Sequence, residues 1–238
     1  MGTVRILASL RLLIGAAAAD DATDGLVRLL NDPDRGVRYA AVQALGKARA
    51  ALPHVVLMLE DEEWCVRQAA GAAVGQFGDA AVPELARVLR DGSTAARVEA
   101  VEALSWIGEA GLPWVLDALD DAEPRVVLEA MDGIWRCQDL VERLPLDRLR
   151  ELIESEDDEV KLWACILVVK LAPESSQRAK RQLQDLLVRR PKGRQKEWAE
   201  WALSPPAKQE VAPEPEPIPE RPLIPLHRFD VGALDEQS

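Results

Sequence analysis

Histidine is almost missing from this 238-residue chain. Only His54 and His227 occur, and neither has a metal-ligand neighbour at helical spacing, which argues against a histidine-based metal centre. The three cysteines, Cys65, Cys137 and Cys165, stand apart without Cys-x-x-Cys spacing. An odd, scattered set makes no disulfide framework, and the thiols read as small core residues. Tyrosine occurs once and phenylalanine twice, so tryptophan, at seven, dominates the aromatics. No apolar run approaches the ~20 residues that cross a bilayer. Basic residues are outnumbered, 29 against 41 acids, for a formal charge of −12. Such a surface repels phosphate and disfavours general nucleic-acid binding. The phosphate-loop, dinucleotide and nucleophile-elbow glycine motifs are absent as well. No catalytic residue, metal site or cofactor is therefore assigned, and the chain is expected to be a cytoplasmic, bacterial, non-enzymatic protein.

What is present is self-similarity. Asp32-Pro33-Asp34-Arg35-Gly36-Val37-Arg38 leads into Ala41, Ala44-Leu45-Gly46. The pattern returns as Asp61, Val66-Arg67, Ala70, Ala73-Val74-Gly75, then as Asp91, Ala96-Arg97, Ala100, Ala103-Leu104. A fourth copy has Asp121, Val126, Ala130 and Ile134, and a fifth has Ser155, Val160-Lys161, Ala164 and Val168. Successive copies of Val37 lie 29, 30, 30 and 34 residues apart. A second apolar stretch precedes each copy, as in Val55-Val56-Leu57-Met58-Leu59. Pro53, Pro83 and Pro113 open three of these stretches at one register, where a first helical turn accepts proline. Asp24 and Asp147 fill that slot in the outer copies as caps or first-turn acids.

Apolar residues recur at three- and four-residue steps, so each unit reads as two amphipathic helices. One pair cannot bury its apolar face alone, but stacked pairs can. The Asp-x(4)-Val-Arg-x(2)-Ala-x(2)-Ala-Leu-Gly pattern resembles the HEAT repeat, and its period of about 30 residues resembles the short variety of phycobilisome lyases. The resemblance implies an all-α, right-handed α-solenoid of about five helix pairs over residues 1–172, with capping helices over 173–203 and an extended Pro-rich tail over 204–238. Residues 3–14 then read as a truncated repeat that caps the stack. HEAT-repeat hydroxylases bind iron through His-Glu pairs, and no such dipeptide occurs.

The resemblance also implies that Asp32, Asp61, Asp91 and Asp121 head the second helices, with Arg38, Arg67 and Arg97 bridging repeats. Val127 stands where the fourth Arg is expected, so the ladder should weaken after residue 120. Second helices line the concave face of such a stack. Counting outward positions gives Arg35, Tyr39 and Gln43, then Trp64, Gln68 and Ala72. Val98, Glu102 and Trp106 follow, then Val127, Met131 and Trp135. Of these, Tyr39, Trp64, Gln68, Trp106, Met131 and Trp135 are the candidate partner-binding residues, since aromatic and Met side chains are enriched at interface cores.

Beyond Pro173 the pattern changes. A helix is expected over 175–190, and Trp198 with Trp201 suggests a closing helix. From Ser176 to Trp198 eight residues are basic and two acidic. Arg189, Arg190, Lys192 and Arg194 are candidate contacts for an acidic partner. Eight of sixteen prolines fall within 205–225, which favours polyproline II. From Pro222 onward apolar residues return, and Leu223, Ile224, Leu226 and Phe229 form a candidate docking motif, for a partner, for the chain itself or for self-association. The expected function is a scaffold that holds a protein partner of unknown identity on the concave face. The alternatives are a lyase or chaperone subunit for a chromophore-bearing protein, as the resemblance implies, and nucleic-acid binding through residues 176–198.

Overall fold

The computed structural model describes residues 19–137, 146–189 and 194–204. Residues 3–14, Arg190, Lys192 and the tail with Leu223, Ile224, Leu226 and Phe229 lie outside the described residues, as does the side chain of Arg194.

Among the described residues the regular structure is entirely helical. First helices are α1 (Ala19–Leu29), α3 (Leu52–Leu57), α5 (Val82–Asp91), α7 (Leu112–Asp117) and α9 (Leu146–Leu152). Second helices are α2 (Arg35–Ala48), α4 (Trp64–Gly75), α6 (Thr94–Ile107), α8 (Pro124–Arg136) and α10 (Asp158–Leu171). Each second helix packs on the next, which makes the five pairs an α-solenoid. Two more helices, α11 (Gln177–Arg189) and α12 (Arg194–Leu203), close its C-terminal end.

The repeat register maps onto burial. Ala41, Ala70, Ala100, Ala130 and Ala164 form one buried row, and Leu45, Val74, Leu104, Ile134 and Val168 another. Small residues in the first row let the backbones approach. Gly46 is one close approach between second helices: an added Cβ there would stand 2.6 Å from the Cβ of Ala73. The three cysteines are buried in the stack, and burial pushes the Cys165 thiol up to about 12.

The helix starts differ in detail from the expectation. The repeat acids sit two residues before the N-caps and fold the turn. Asp32, Asp61 and Asp121 accept from the amides of Asp34, Glu63 and Glu123 at 2.8–2.9 Å. Ser155 does the same for Asp157 at 3.2 Å, and Asp157 caps α10. Asp91 is the exception. It ends α5, and Ser93 caps α6 while the Glu60 carboxylate of the preceding pair accepts from the Ser93 amide. Asp24 is also reassigned, because α1 begins at Ala19 and places it in mid-helix.

Two rungs of the ladder form. Arg38 makes a bidentate pair with Asp61 at 2.7 and 2.9 Å, and Arg97 makes the same pair with Asp121 at 2.8 and 2.9 Å. Both guanidinium groups are held more firmly charged than usual by these bonds. Arg67 instead donates to the carbonyls of Asp61 and Glu62 in its own turn, since Asp91 has left the site. In the fourth pair the ladder position turns apolar, with Val127 buried, and in the fifth it is Lys161. Surface pairs take over there: Arg148 with Asp120 at 2.6 Å and Arg178 with Glu154 at 2.8 Å.

Candidate functional site

The second helices α2, α4 and α6 enclose a groove of about 500 Å³. Its floor is made of Ala69, Gly71, Ala72, Gly75 and Ala103. Tyr39 and Trp106 are its aromatic members, and Gln43, Gln68, Gln76 and Glu102 supply polar groups. The repeat explains the arrangement. Tyr39 and Gln68 are equivalent positions, Gln43, Ala72 and Glu102 are equivalent one turn later, and Gln76 and Trp106 are equivalent after that. One helical face, repeated about every 30 residues, therefore builds a continuous surface. Small residues on this face, of which Ala69, Gly71 and Ala103 are buried, leave the space that the long side chains border.

The groove's polar atoms are ordered. Gln43 Nε2 donates to the Tyr39 hydroxyl at 2.9 Å. Burial, with Cys65 nearby, pushes the Tyr39 phenol up, so it stays a neutral donor. Trp106 is 68% exposed, the largest such aromatic surface among the described residues. The Arg136 guanidinium lies 5.5 Å from its ring centroid. Arg136 is itself fixed by Ser105 Oγ at 3.0 Å, by Glu129 at 2.8 Å and by Asp132. A cation so held keeps the indole oriented without a packed core around it. Glu129 pays for this position: burial raises its carboxyl to about 6, against the opposing bond from Arg136.

Tyr39, Gln68 and Trp106 thus meet in one groove. The other predicted site residues do not. Trp64 is half-buried against the core and is not among the groove residues. Met131 is only 2% exposed, and Val98 and Val127 are buried as well. In the fourth copy the outward positions fall one residue later than expected: the equivalents of Tyr39, Gln43 and Trp106 there are Leu128, Asp132 and Arg136. Met131 shares the core row of Val42 and Val101. Trp135 is already engaged by the chain itself. Its ring meets those of Trp198 and Trp201 edge-on, at 5.6 and 5.7 Å between centroids. Trp163 joins at 5.6 Å from Trp198, and the Lys170 ammonium sits 3.8 Å from the Trp201 centroid. Helix α12 therefore covers the second-helix face of the last two pairs, beside the open groove of the first three. Of the basic cluster, Arg189 is exposed at the end of α11.

Sequence reasoning missed Gln76, the small-residue floor and the Arg136 support. The first was legible from its equivalence to Trp106. The last was not, because Arg136 acts across a repeat boundary.

Among the described residues no group of three His, Cys, Asp or Glu side chains could hold a metal, and no helix is long and apolar enough to cross a membrane. No curated protein matches the sequence. Among solved structures, the chain is similar to the CpcE–CpcF complex of phycocyanin lyase from Nostoc sp. PCC7120, at 18% identity over 79% of this chain and 77% of that one, with TM-score 0.49. It is similar to the archaeal HEAT-like repeats protein from Thermococcus onnurineus NA1, at 15% identity over 84% and 94%, with TM-score 0.43. It is also similar to a computationally designed armadillo repeat protein for modular peptide recognition, at 22% identity over 75% and 97%, with TM-score 0.43. Two family models match in sequence, the HEAT repeat over residues 23–47 and HEAT repeats over residues 52–134. Those residues hold the stacked pairs, the Arg–Asp rungs and the groove, and on that ground the chain is a HEAT-repeat protein.

Proposed function

We propose that the chain is a non-enzymatic adaptor that binds an extended segment of a protein partner in the groove of α2, α4 and α6. The observation that carries this reading is the groove itself: a floor of Ala and Gly between Tyr39 and Trp106, bordered by three glutamines. A glutamine amide offers both a donor and an acceptor, which suits the alternating N–H and C=O groups of an extended backbone. The aromatic rings supply anchoring area at low entropic cost. Nothing in this lining is a nucleophile with an adjacent base, which the adaptor reading does not need. Glu102 makes the groove a poor host for a phosphate backbone.

The test is selection of a displayed random-peptide library on the full chain, followed by affinity measurement on the Tyr39→Ala/Trp106→Ala variant. Each truncation of an interface anchor costs about 2 kcal/mol or more. The two losses together, about 4 kcal/mol, should weaken a selected peptide about 1,000-fold while circular dichroism stays unchanged. Equal binding to the variant would overturn the assignment of the groove.

A further inference from the structure

The C-terminal region already supplies one ligand for the second-helix face. Helix α12 lays Trp198 and Trp201 on Trp135, Trp163 and Lys170. Lys170 occupies on α10 the repeat position that Trp106 occupies on α6. The face thus binds a segment of its own chain over the last two pairs and opens into the groove over the first three. We propose that residues 221–229 of the same chain occupy that groove, so that a partner must displace them. The proposal rests on the groove being the binding site.

Three observations favour this occupant. The first is composition. Arg221-Pro222-Leu223-Ile224-Pro225-Leu226-His227-Arg228-Phe229 carries four large apolar residues, two arginines and no acid. It follows a spacer with Glu210, Glu214, Glu216 and Glu220, so the basic, apolar character is confined to it. The second is complementarity. The groove offers an apolar floor and Glu102 as its acid. Pro222 and Pro225 restrict backbone freedom and so lower the ordering cost of docking. The third is reach. The indole of Trp201 touches α8, and Arg136 of α8 lies over Trp106. The groove therefore begins about two helix spacings from α12, some 20 Å at ~10 Å each. Sixteen residues, 205–220, are long enough to bridge that distance: a fully extended polyproline stretch of this length would reach about 50 Å at ~3.1 Å per residue.

The experiment uses the full chain with Phe229→p-benzoylphenylalanine, irradiated at several protein concentrations and mapped by peptide mass spectrometry. The expected result is cross-links to residues 39–106 within a single copy, at a yield independent of concentration and lost in the Trp106→Ala background. Cross-links that fall elsewhere, or that join two copies and grow with concentration, overturn the proposal. A second measurement separates this idea from the groove assignment. Leu226→Asp/Phe229→Asp should raise the affinity of a groove-selected peptide about tenfold, because it frees the competent state. Unchanged affinity would sink the tail as occupant and leave the groove as the site. A peptide that binds equally well without Tyr39 and Trp106 would instead sink the groove.

Discussion

Three arginines at one repeat position have three different surroundings, and that difference sets a graded cost of removal. The Arg38–Asp61 pair is nearly dry, with side chains 8% and 4% exposed. Arg38→Ala leaves the Asp61 carboxylate buried with one amide donor, and breaking a buried pair this way costs about 3–5 kcal/mol. The Arg97–Asp121 pair is wetter, at 18% and 13%, so Arg97→Ala should cost less, about 2–3 kcal/mol. Arg67 has only two carbonyl acceptors, at 2.7 and 3.0 Å, and its buried Nε has no partner. Losing the two bonds while deleting an unsatisfied donor puts Arg67→Ala at about 1 kcal/mol. Urea titration followed by far-ultraviolet circular dichroism ranks the three variants. Hydrogen exchange of α2 and α4 then localises the loss, since a repeat array unfolds in neighbour-coupled units. Arg38→Met, Asp61→Leu and the double variant form a cycle, in which the double change should cost clearly less than the sum of the two singles. An Arg67→Ala cost equal to that of Arg38→Ala would refute the reasoning. The turn carbonyls, which both arginines hold, would then be the source of stability, and the pairing between repeats would not.

Other expectations follow from single contacts. Gly46→Ala drives a Cβ into Ala73 and should destabilise by about 1–3 kcal/mol. Gly75→Ala meets nothing nearer than 4.0 Å and should be neutral or stabilising in the same melting assay. Trp198→Ala removes the ring shared by Trp135, Trp163 and Trp201 and should cost about 3–5 kcal/mol. Hydrogen exchange should then accelerate in α12 ahead of α2 and α4. Glu129 binds its proton more tightly when folded, with its carboxyl at about 6 against 4.5. Its contribution to stability therefore falls as pH rises from about 4.5 through 6, by about 2 kcal/mol. Stability of Glu129→Gln relative to wild type should rise across that window, and a flat difference would rule out the raised carboxyl.

The sequence by itself determined the repeating unit. Val37, Val66, Ala96, Val126 and Val160 mark one buried position, and the prolines and turn acids mark the helix starts, because a 3.6-residue period and local turn chemistry are written within each thirty-residue copy. Equivalence between copies also located Tyr39, Gln68 and Trp106 on one face. In the fourth copy one residue separates the core position Met131 from the outward Asp132, and a single step around a helix turns a side chain by about 100°. Tertiary structure alone decided the rest. No local signal says that Arg38 finds Asp61 while Arg67 finds only carbonyls, because the answer depends on how α5 ends in the next pair. Nor does one say that Trp198 and Trp201 cover Trp135 and leave the groove beside Trp106 open. Helix α12 lies outside the repeat, so its place is set by which apolar surface remains unburied once the regular pairs have stacked.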